Sequence, residues 1–169
     1  ATVPRVGRGG GEGKGGVVQR RRMAARLLAE LVARQVGTAL GKGVGYAVRF
    51  ESKAGPETEI LFVTDGVLQR MLLDDPELKG VGAVIFDEFH ERSLQADLGL
   101  ALCLDCQANL REDLRIVVMS ATLDVDPVSA LMGDAPVIVS EGLAFPVETR
   151  YLGKPHVGRF KDGFCPGVA

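Results

Sequence analysis

Three short apolar runs constrain the fold of this chain more than any other feature: Ile60–Thr64, residues 83–86 and residues 116–119. Each is nearly continuous in its apolar character, which is the pattern of a strand buried on both faces. Between and before them, apolar residues recur at three- and four-residue spacing, as on amphipathic helices. Buried strands alternating with such helices predict an α/β fold with a mostly parallel sheet covered on both sides. In these sheets ligands bind beyond the carboxyl ends of the strands. Every run here ends in a polar cluster: Thr64-Asp65-Gly66, Asp87-Glu88-Phe89-His90-Glu91-Arg92 and Ser120-Ala121-Thr122.

The remaining elements come from the same patterns. Val17 and Val18 end a short strand, and residues 22–39 read as a helix with Met23, Leu27 and Leu31 on one face, Ala24 and Leu28 beside them, stopped by Gly41 and Gly43. Tyr46, Val48 and Phe50 alternate with polar or small residues as in a half-buried strand, and Gly55-Pro56 marks a turn. Asp65 is placed to cap a short helix over 67–73. Residues 93–110 read as a long helix with Leu94, Leu98, Ala101 and Leu102 facing inward. Asp126-Pro127 starts a short helix, and residues 136–139 lead into a fourth buried strand.

Seven of the ten residues from Gly7 to Gly16 are glycine, so residues 1–16 are expected to be irregular. Residues 154–169 carry no pattern and read as a linker or disordered tail. Residues 17–153 then make one domain, long enough to bury a core. No apolar stretch approaches the ~20 residues of a membrane span, and the basic, glycine-rich start is not a secretory leader. Three cysteines, an odd number, make no disulfide framework, which points to a reducing, cytoplasmic setting. Cys103 and Cys106 form a C-x-x-C inside a helical pattern with no second pair or nearby His, so they read as helix residues that share a spacing by chance. The net charge of -2 gives no global basic signal, and any nucleic-acid contact has to come from a local patch.

The acidic cluster after residues 83–86 is the strongest chemical feature. A first carboxylate there, Asp87, can hold Mg2+ through water beside the phosphates of a nucleotide. A second, Glu88, can orient and polarise an attacking water. The plain alternative is a solvated charged loop. Ser120 and Thr122, ending the next strand, suit a pair of hydroxyls bonded to the acidic side chains; alone they are ordinary turn caps. Arg20-Arg21-Arg22, with Arg26 one turn on, come after a strand and open a helix, a place that suits a phosphate backbone or is simply a solvated basic helix start. Thr64 and Gly66 offer a hydroxyl and a backbone N–H to phosphates, or a plain helix cap.

In order along the chain these clusters resemble the motifs of the DEAH-box RNA helicases. Gln19-Arg20-Arg21-Arg22-Met23-Ala24-Ala25-Arg26 is similar to motif Ia, and Gly45-Tyr46-Ala47-Val48-Arg49-Phe50-Glu51 to the G-Y-x-(I/V)-R-F-E segment. Thr64-Asp65-Gly66 resembles motif Ib, residues 87–92 motif II, and Ser120-Ala121-Thr122 motif III. Phe89, where most of the family has Ala, and the long stretch 94–110 resemble the bacterial HrpB-type branch. Phe145-Pro146-Val147-Glu148-Thr149-Arg150-Tyr151 resembles the exit from the first motor domain.

The resemblance implies a RecA-like P-loop NTPase fold, hydrolysis of ATP or another NTP with Mg2+, and movement on single-stranded RNA or RNA-containing duplexes. It makes Asp87 the Mg2+ residue, with Glu88 beside the ion as catalytic base. His90 would couple the site to a second RecA-like domain of the parent chain, and Ser120 and Thr122 would link hydrolysis to unwinding. Arg21, Arg22, Thr64, Asp65 and Gly66 would lie along the RNA backbone. Three departures stand out. The 169 residues contain no G-x-x-x-x-G-K-[ST]: Gly15 comes directly after Gly13-Lys14, and Thr2-Val3-Pro4 is similar to the segment just past that loop in the family. Arg20 stands where the family has proline, with the glycine-rich run in place of a helix. The second motor domain and its arginine finger have no counterpart. The chain is therefore expected to be an inactive first motor domain. The alternatives are a non-catalytic RNA- or partner-binding remnant and another RecA-like ATPase; the second of these leaves the basic motif and Thr64-Asp65-Gly66 unexplained.

Overall fold

The computed structural model describes residues 13–121 and 125–140. The described residues up to Val137 make one compact unit. Its strands are β1 (Lys14–Gln19), β2 (Val44–Val48), β3 (Glu51–Lys53), β4 (Ile60–Thr64), β5 (Val81–Phe86) and β6 (Arg115–Val118). Its helices are α1 (Arg22–Gln35), α2 (Asp65–Asp74), α3 (Leu94–Asn109) and α4 (Asp126–Leu131), with a 3-10 turn at Phe89–Glu91. The strands form one sheet in the order β3-β2-β4-β1-β5-β6. All pairings are parallel except β2 with β3. The α/β expectation holds, and the carboxyl ends of β1, β2, β4, β5 and β6 share one edge.

Two apolar layers sandwich the sheet, and the two-residue period of the strands separates them. Val17, Phe62 and Ile85 point to the α1 side, where they meet Ala25, Ala29, Val32 and Ala33. Val18, Val63, Val84 and Phe86 point to the other side and pack with Leu68 and Leu72 of α2 and Leu100, Cys103 and Cys106 of α3. Arg111 closes the far end of that layer: its guanidinium donates to the carbonyls of Glu77, Leu78 and Val81 and pairs with Asp113 at 2.7 Å.

Several elements differ from the sequence reading. Helix α1 buries alanines and Val32, while Met23, Leu27 and Leu31 lie on its solvent side, each at least half exposed. Small side chains let the helix sit close on β2 and β4, so the larger ridge turns outward. The helix stops before Gly37, not at Gly41: Gly37 takes a φ of +71°, its N–H donates to Arg34 O and that of Thr38 to Ala33 O. This is the glycine-terminated cap that satisfies the last carbonyls of a helix. On α3 the inner face is Gly99, Leu100, Cys103 and Cys106, while Leu94, Leu98 and Ala101 are exposed and only Leu102 is partly buried. The C-x-x-C is thus a core pair on a helix.

Strand β1 begins at Lys14, three residues inside the stretch expected to be irregular. Gly13 approaches the Gly82 backbone so closely that a Cβ would lie 2.3 Å from its nitrogen. Glycine here serves packing between strands as well as chain freedom. Phe50 leaves the strand pattern for an exposed turn with φ +69°, and β3 begins just after it. Thr64, not Asp65, occupies the cap position of α2, and its side chain makes no capping bond. Residues 136–139 form no strand: they pair with no neighbour among the described residues, and Ile138 is 93% exposed. An apolar run becomes a strand only where a sheet edge accepts its backbone groups. Residues 1–12, Thr122, the tract 145–151 and the tail 154–169 lie outside the described residues.

Candidate functional site

The loop after β5 is held by backbone bonds to its neighbours on either side. Asp87 N–H donates to Val18 O of β1 at 3.2 Å, Phe89 N–H to Met119 O beyond β6 at 3.0 Å, and Met119 N–H to Phe86 O at 2.8 Å. Two residues in it have left-handed or otherwise uncommon backbone: Glu88 (φ 53°, ψ 35°) and Arg92 (φ 42°, ψ 120°). Such conformations cost roughly 1–3 kcal/mol each and persist only where the surroundings over-determine them, commonly at functional sites. Phe89 provides one anchor. Its buried ring packs edge-on against Phe86 at 6.2 Å, and the Arg92 guanidinium lies 5.6 Å over its face. The position that departs from most DEAH-box sequences is therefore a core residue of the loop. Ser93 then caps α3 by accepting from Ala96 N–H at 3.0 Å.

This backbone presents the polar groups in a fixed order. Asp87 Oδ2 accepts from Gln19 Nε2 at 2.6 Å and Oδ1 from Glu88 N–H at 2.9 Å. Glu88 is exposed, and its Oε2 is 3.2 Å from His90 Nε2. His90 Nδ1 accepts from Ala121 N–H at 3.2 Å, so that nitrogen carries no proton and Nε2–H faces Glu88. Asp87, Glu88, His90 and the Ser120-Ala121 turn are thus brought together, with the Ala121 N–H reaching His90. Thr122 lies outside the described residues.

The second group of sequence candidates shares this edge. Arg21 caps α1 with its carbonyl, which accepts from Ala25 N–H at 3.0 Å, while its exposed side chain makes no hydrogen bond or ion pair among the described residues. Arg22 donates to Arg49 O at 3.0 Å. The other two arginines of the basic run are engaged internally: Arg20 pairs with Glu91 at 3.0 Å, and Arg26 with Glu30 and Glu51 at 3.4 and 3.6 Å. Thr64 is buried, Asp65 half-buried and Gly66 exposed at the start of α2. Burial raises the Asp65 carboxyl pKa above its ordinary value, and nearby Arg20 opposes the rise. Gly13-Lys14, the nearest text to a phosphate loop, lies at the amino end of β1, where Lys14 N–H bonds Gly80 O. Five strand steps of ~3.3 Å separate it from the edge that carries Asp87.

The sequence reading missed Gln19 as a site residue. It is 3% exposed and sits directly beside Asp87. It also missed Glu91, which ties the acidic loop to Arg20, and the N–H of Ala121. A glutamine at the end of a buried strand was the available signal for the first; the others depend on tertiary approach alone.

The sequence profile of the DEAD/DEAH box helicase family matches residues 19–131, two thirds of the chain. The chain belongs to this family. It is 51% identical over 153 residues to the ATP-dependent RNA helicase HrpB of Escherichia coli, covering 90% of this chain and 19% of that protein. It is 40% identical over 139 residues to the probable ATP-dependent RNA helicase DHR2 of Saccharomyces cerevisiae, covering 82% and 19%. Two crystal structures of E. coli HrpB, described as a DEAH/RHA helicase and a DExH-box NTPase, superpose with TM-scores of 0.81 and 0.76 at 52% identity. Each covers 89% of this chain and 19% of the other. The RecA-like architecture and the likeness to HrpB are thereby shown, and the chain spans about a fifth of the length of the relatives it matches.

Proposed function

We propose that this chain is the first motor domain of an ATP-dependent RNA helicase, in which a nucleotide with Mg2+ and a single strand of RNA meet the same sheet edge. The observation that carries the reading is the strained loop at 87–92, whose Asp87, Glu88 and His90 are fixed to β1 and to the turn after β6. The donor set fits a water-held cation. Each Asp87 oxygen accepts one hydrogen bond and keeps further acceptor capacity, and one carboxylate contacting a hydrated ion suits Mg2+. Among the described residues no cluster of three or more ligating side chains would cage a bare ion. The ion would offset phosphate charge when bound. Glu88 would accept a proton from the attacking water, with His90 Nε2–H holding its carboxylate. Ser120 precedes Ala121, whose N–H reaches His90, a position suited to passing the state of the site onward to a second RecA-like domain, and Thr122 is assigned the same role by its place in the motif.

Arg21, Arg22 and the turn Thr64-Asp65-Gly66 are the proposed RNA contacts, and of these Arg21 and Gly66 are the most available. Contacts there would reach phosphate and sugar, so they would position RNA without reading bases. A reducing, cytoplasmic setting belongs to the same proposal and is supported by the buried free thiols of Cys103 and Cys106. The test is a titration of single-stranded RNA at several salt concentrations with wild type and an Arg21→Ala/Arg22→Ala double variant. Weak, sequence-tolerant binding is expected, with the log–log salt slope reduced by roughly 0.7 for each arginine lost. Equal affinity and equal slope for the two proteins would remove this edge as the RNA track.

A further inference from the structure

The last residue of the central strand β1 joins the two halves of the proposed site. Gln19 is in register with Thr64 of β4 on one side. On the other, its Nε2 donates to Asp87 Oδ2 at 2.6 Å across the β1–β5 pairing. It is 3% exposed, and Thr64 beside it is 9% exposed. Arg21, the free arginine of the basic loop, is two residues further along the chain. A buried amide of this kind has little room to take up a second arrangement, so a shift of the loop after it is passed to whatever it bonds. Asp87 passes it on in turn: its Oδ1 accepts from Glu88 N–H at 2.9 Å. No other side chain among the described residues bonds Asp87; its backbone N–H also donates to Val18 O of the same strand, and Arg20 pairs with Glu91 further along the acidic loop.

We propose that Gln19 is a positioning residue that transmits occupancy of the Arg21-Arg22 loop by RNA to the carboxylate of Asp87. The inference rests on the RNA reading above. In this arrangement the RNA-facing loop and the acidic loop are not independent: the strand end between them is one rigid unit with a polar contact on its side. The link runs within the sheet, and it needs neither a second domain nor a bound nucleotide to be detectable.

The experiment is a titration of the 15N-labelled 169-residue chain with oligouridylate, followed by amide resonance shifts, for wild type and Gln19→Met. Methionine keeps the length and approximate volume of the side chain and removes the donor. In wild type, shifts are expected at Arg21 and Arg22, at the Gln19 side-chain amide, and at the backbone N–H of Glu88. In Gln19→Met the shifts at Arg21 and Arg22 are expected to persist with unchanged RNA affinity, while that at Glu88 is lost. A residue that merely filled the strand end would leave the Glu88 response intact. Loop shifts in wild type without any response at Glu88 would overturn the link and leave the RNA reading standing, and this outcome does not depend on the variant folding. A Glu88 response that survives in Gln19→Met would overturn it equally. Absence of shifts at Arg21 and Arg22 in wild type would overturn the RNA reading itself, and the link with it.

Discussion

Glu88 and Asp87 are neighbours for which different roles are proposed, and their surroundings separate them. Asp87 is half-buried and accepts two hydrogen bonds, whereas Glu88 projects from a left-handed residue into the open, with its carboxylate beside His90. In a longer parent chain that carries a phosphate loop, Glu88→Gln is expected to keep nucleotide affinity and lose roughly 10²–10⁴-fold in kcat, the range for removing a general base. Asp87→Asn is expected to weaken Mg2+-dependent nucleotide binding instead, because it removes the anionic partner of the ion. Binding isotherms with and without Mg2+, beside steady-state turnover, separate the two outcomes; turnover by Glu88→Gln within a few-fold of wild type would sink the assignment. At this scale the sequence was informative where charge collects at a strand end. Asp87, Glu88 and His90 could be picked out because an acidic run after an apolar strand is costly without a purpose. Gln19 and Ala121 could not be, since an uncharged amide and a backbone N–H acquire meaning only from what they touch.

The thiols of α3 show the same limit from the other direction. Burial pushes the Cys103 thiol up to about 12, and burial likewise raises that of Cys106, so both stay protonated near neutral pH. A thiol with a raised pKa is a poor nucleophile until it is exposed. Alkylation followed by peptide mapping is expected to spare both residues in the native protein and to modify both in denaturant. Labelling of native Cys103 as fast as in the unfolded chain would contradict its place in the core.

Among the elements, strands were easier to read than helix faces. A strand buried on both sides announces itself by continuous apolar character, and β4, β5 and β6 were found within two residues at each end. Helices α1 and α3 were found, but their inner faces were misplaced: α1 buries alanines in place of its leucine ridge, and α3 buries Gly99, Leu100, Cys103 and Cys106 in place of Leu94 and Leu98. Ala25 and Ala29 are fully buried because α1 lies close against β2 and β4, while Leu27 stays 56% exposed. Ala29→Leu is therefore expected to overpack that contact and cost about 1–3 kcal/mol. Leu27→Ser, at a surface position, should change stability by no more than about 0.5 kcal/mol. Urea unfolding of the two variants checks the ranking, and a larger loss for Leu27→Ser would mean that the α1 face is wrongly placed.

At the scale of the whole molecule, the order of motifs was legible because every cluster falls at a strand end, and parallel strands bring those ends to one edge. What sequence alone left open was the standing of Gly13-Lys14 as a remnant phosphate loop. The sheet answers it: Lys14 begins β1 at the edge opposite Asp87, with its N–H bonded to Gly80 O, so its ammonium belongs to the wrong end of the strand. Phosphoryl transfer depends almost wholly on positioned charge, from the loop's N–H groups, its lysine and an arginine finger, the last alone worth ~10³-fold or more. The 169 residues hold no G-x-x-x-x-G-K-[ST], and the acidic loop by itself would provide only the proposed metal contact and base. The purified chain is accordingly expected to show no RNA-stimulated ATP turnover above background, and Lys14→Ala is expected to leave its nucleotide affinity, however weak, unchanged. A phosphate-release assay with and without single-stranded RNA measures the first, and equilibrium binding of a labelled nucleotide measures the second. Robust RNA-stimulated turnover would show that these residues assemble a phosphate site by another route, and a loss of nucleotide binding in Lys14→Ala would place that route at the amino edge of β1.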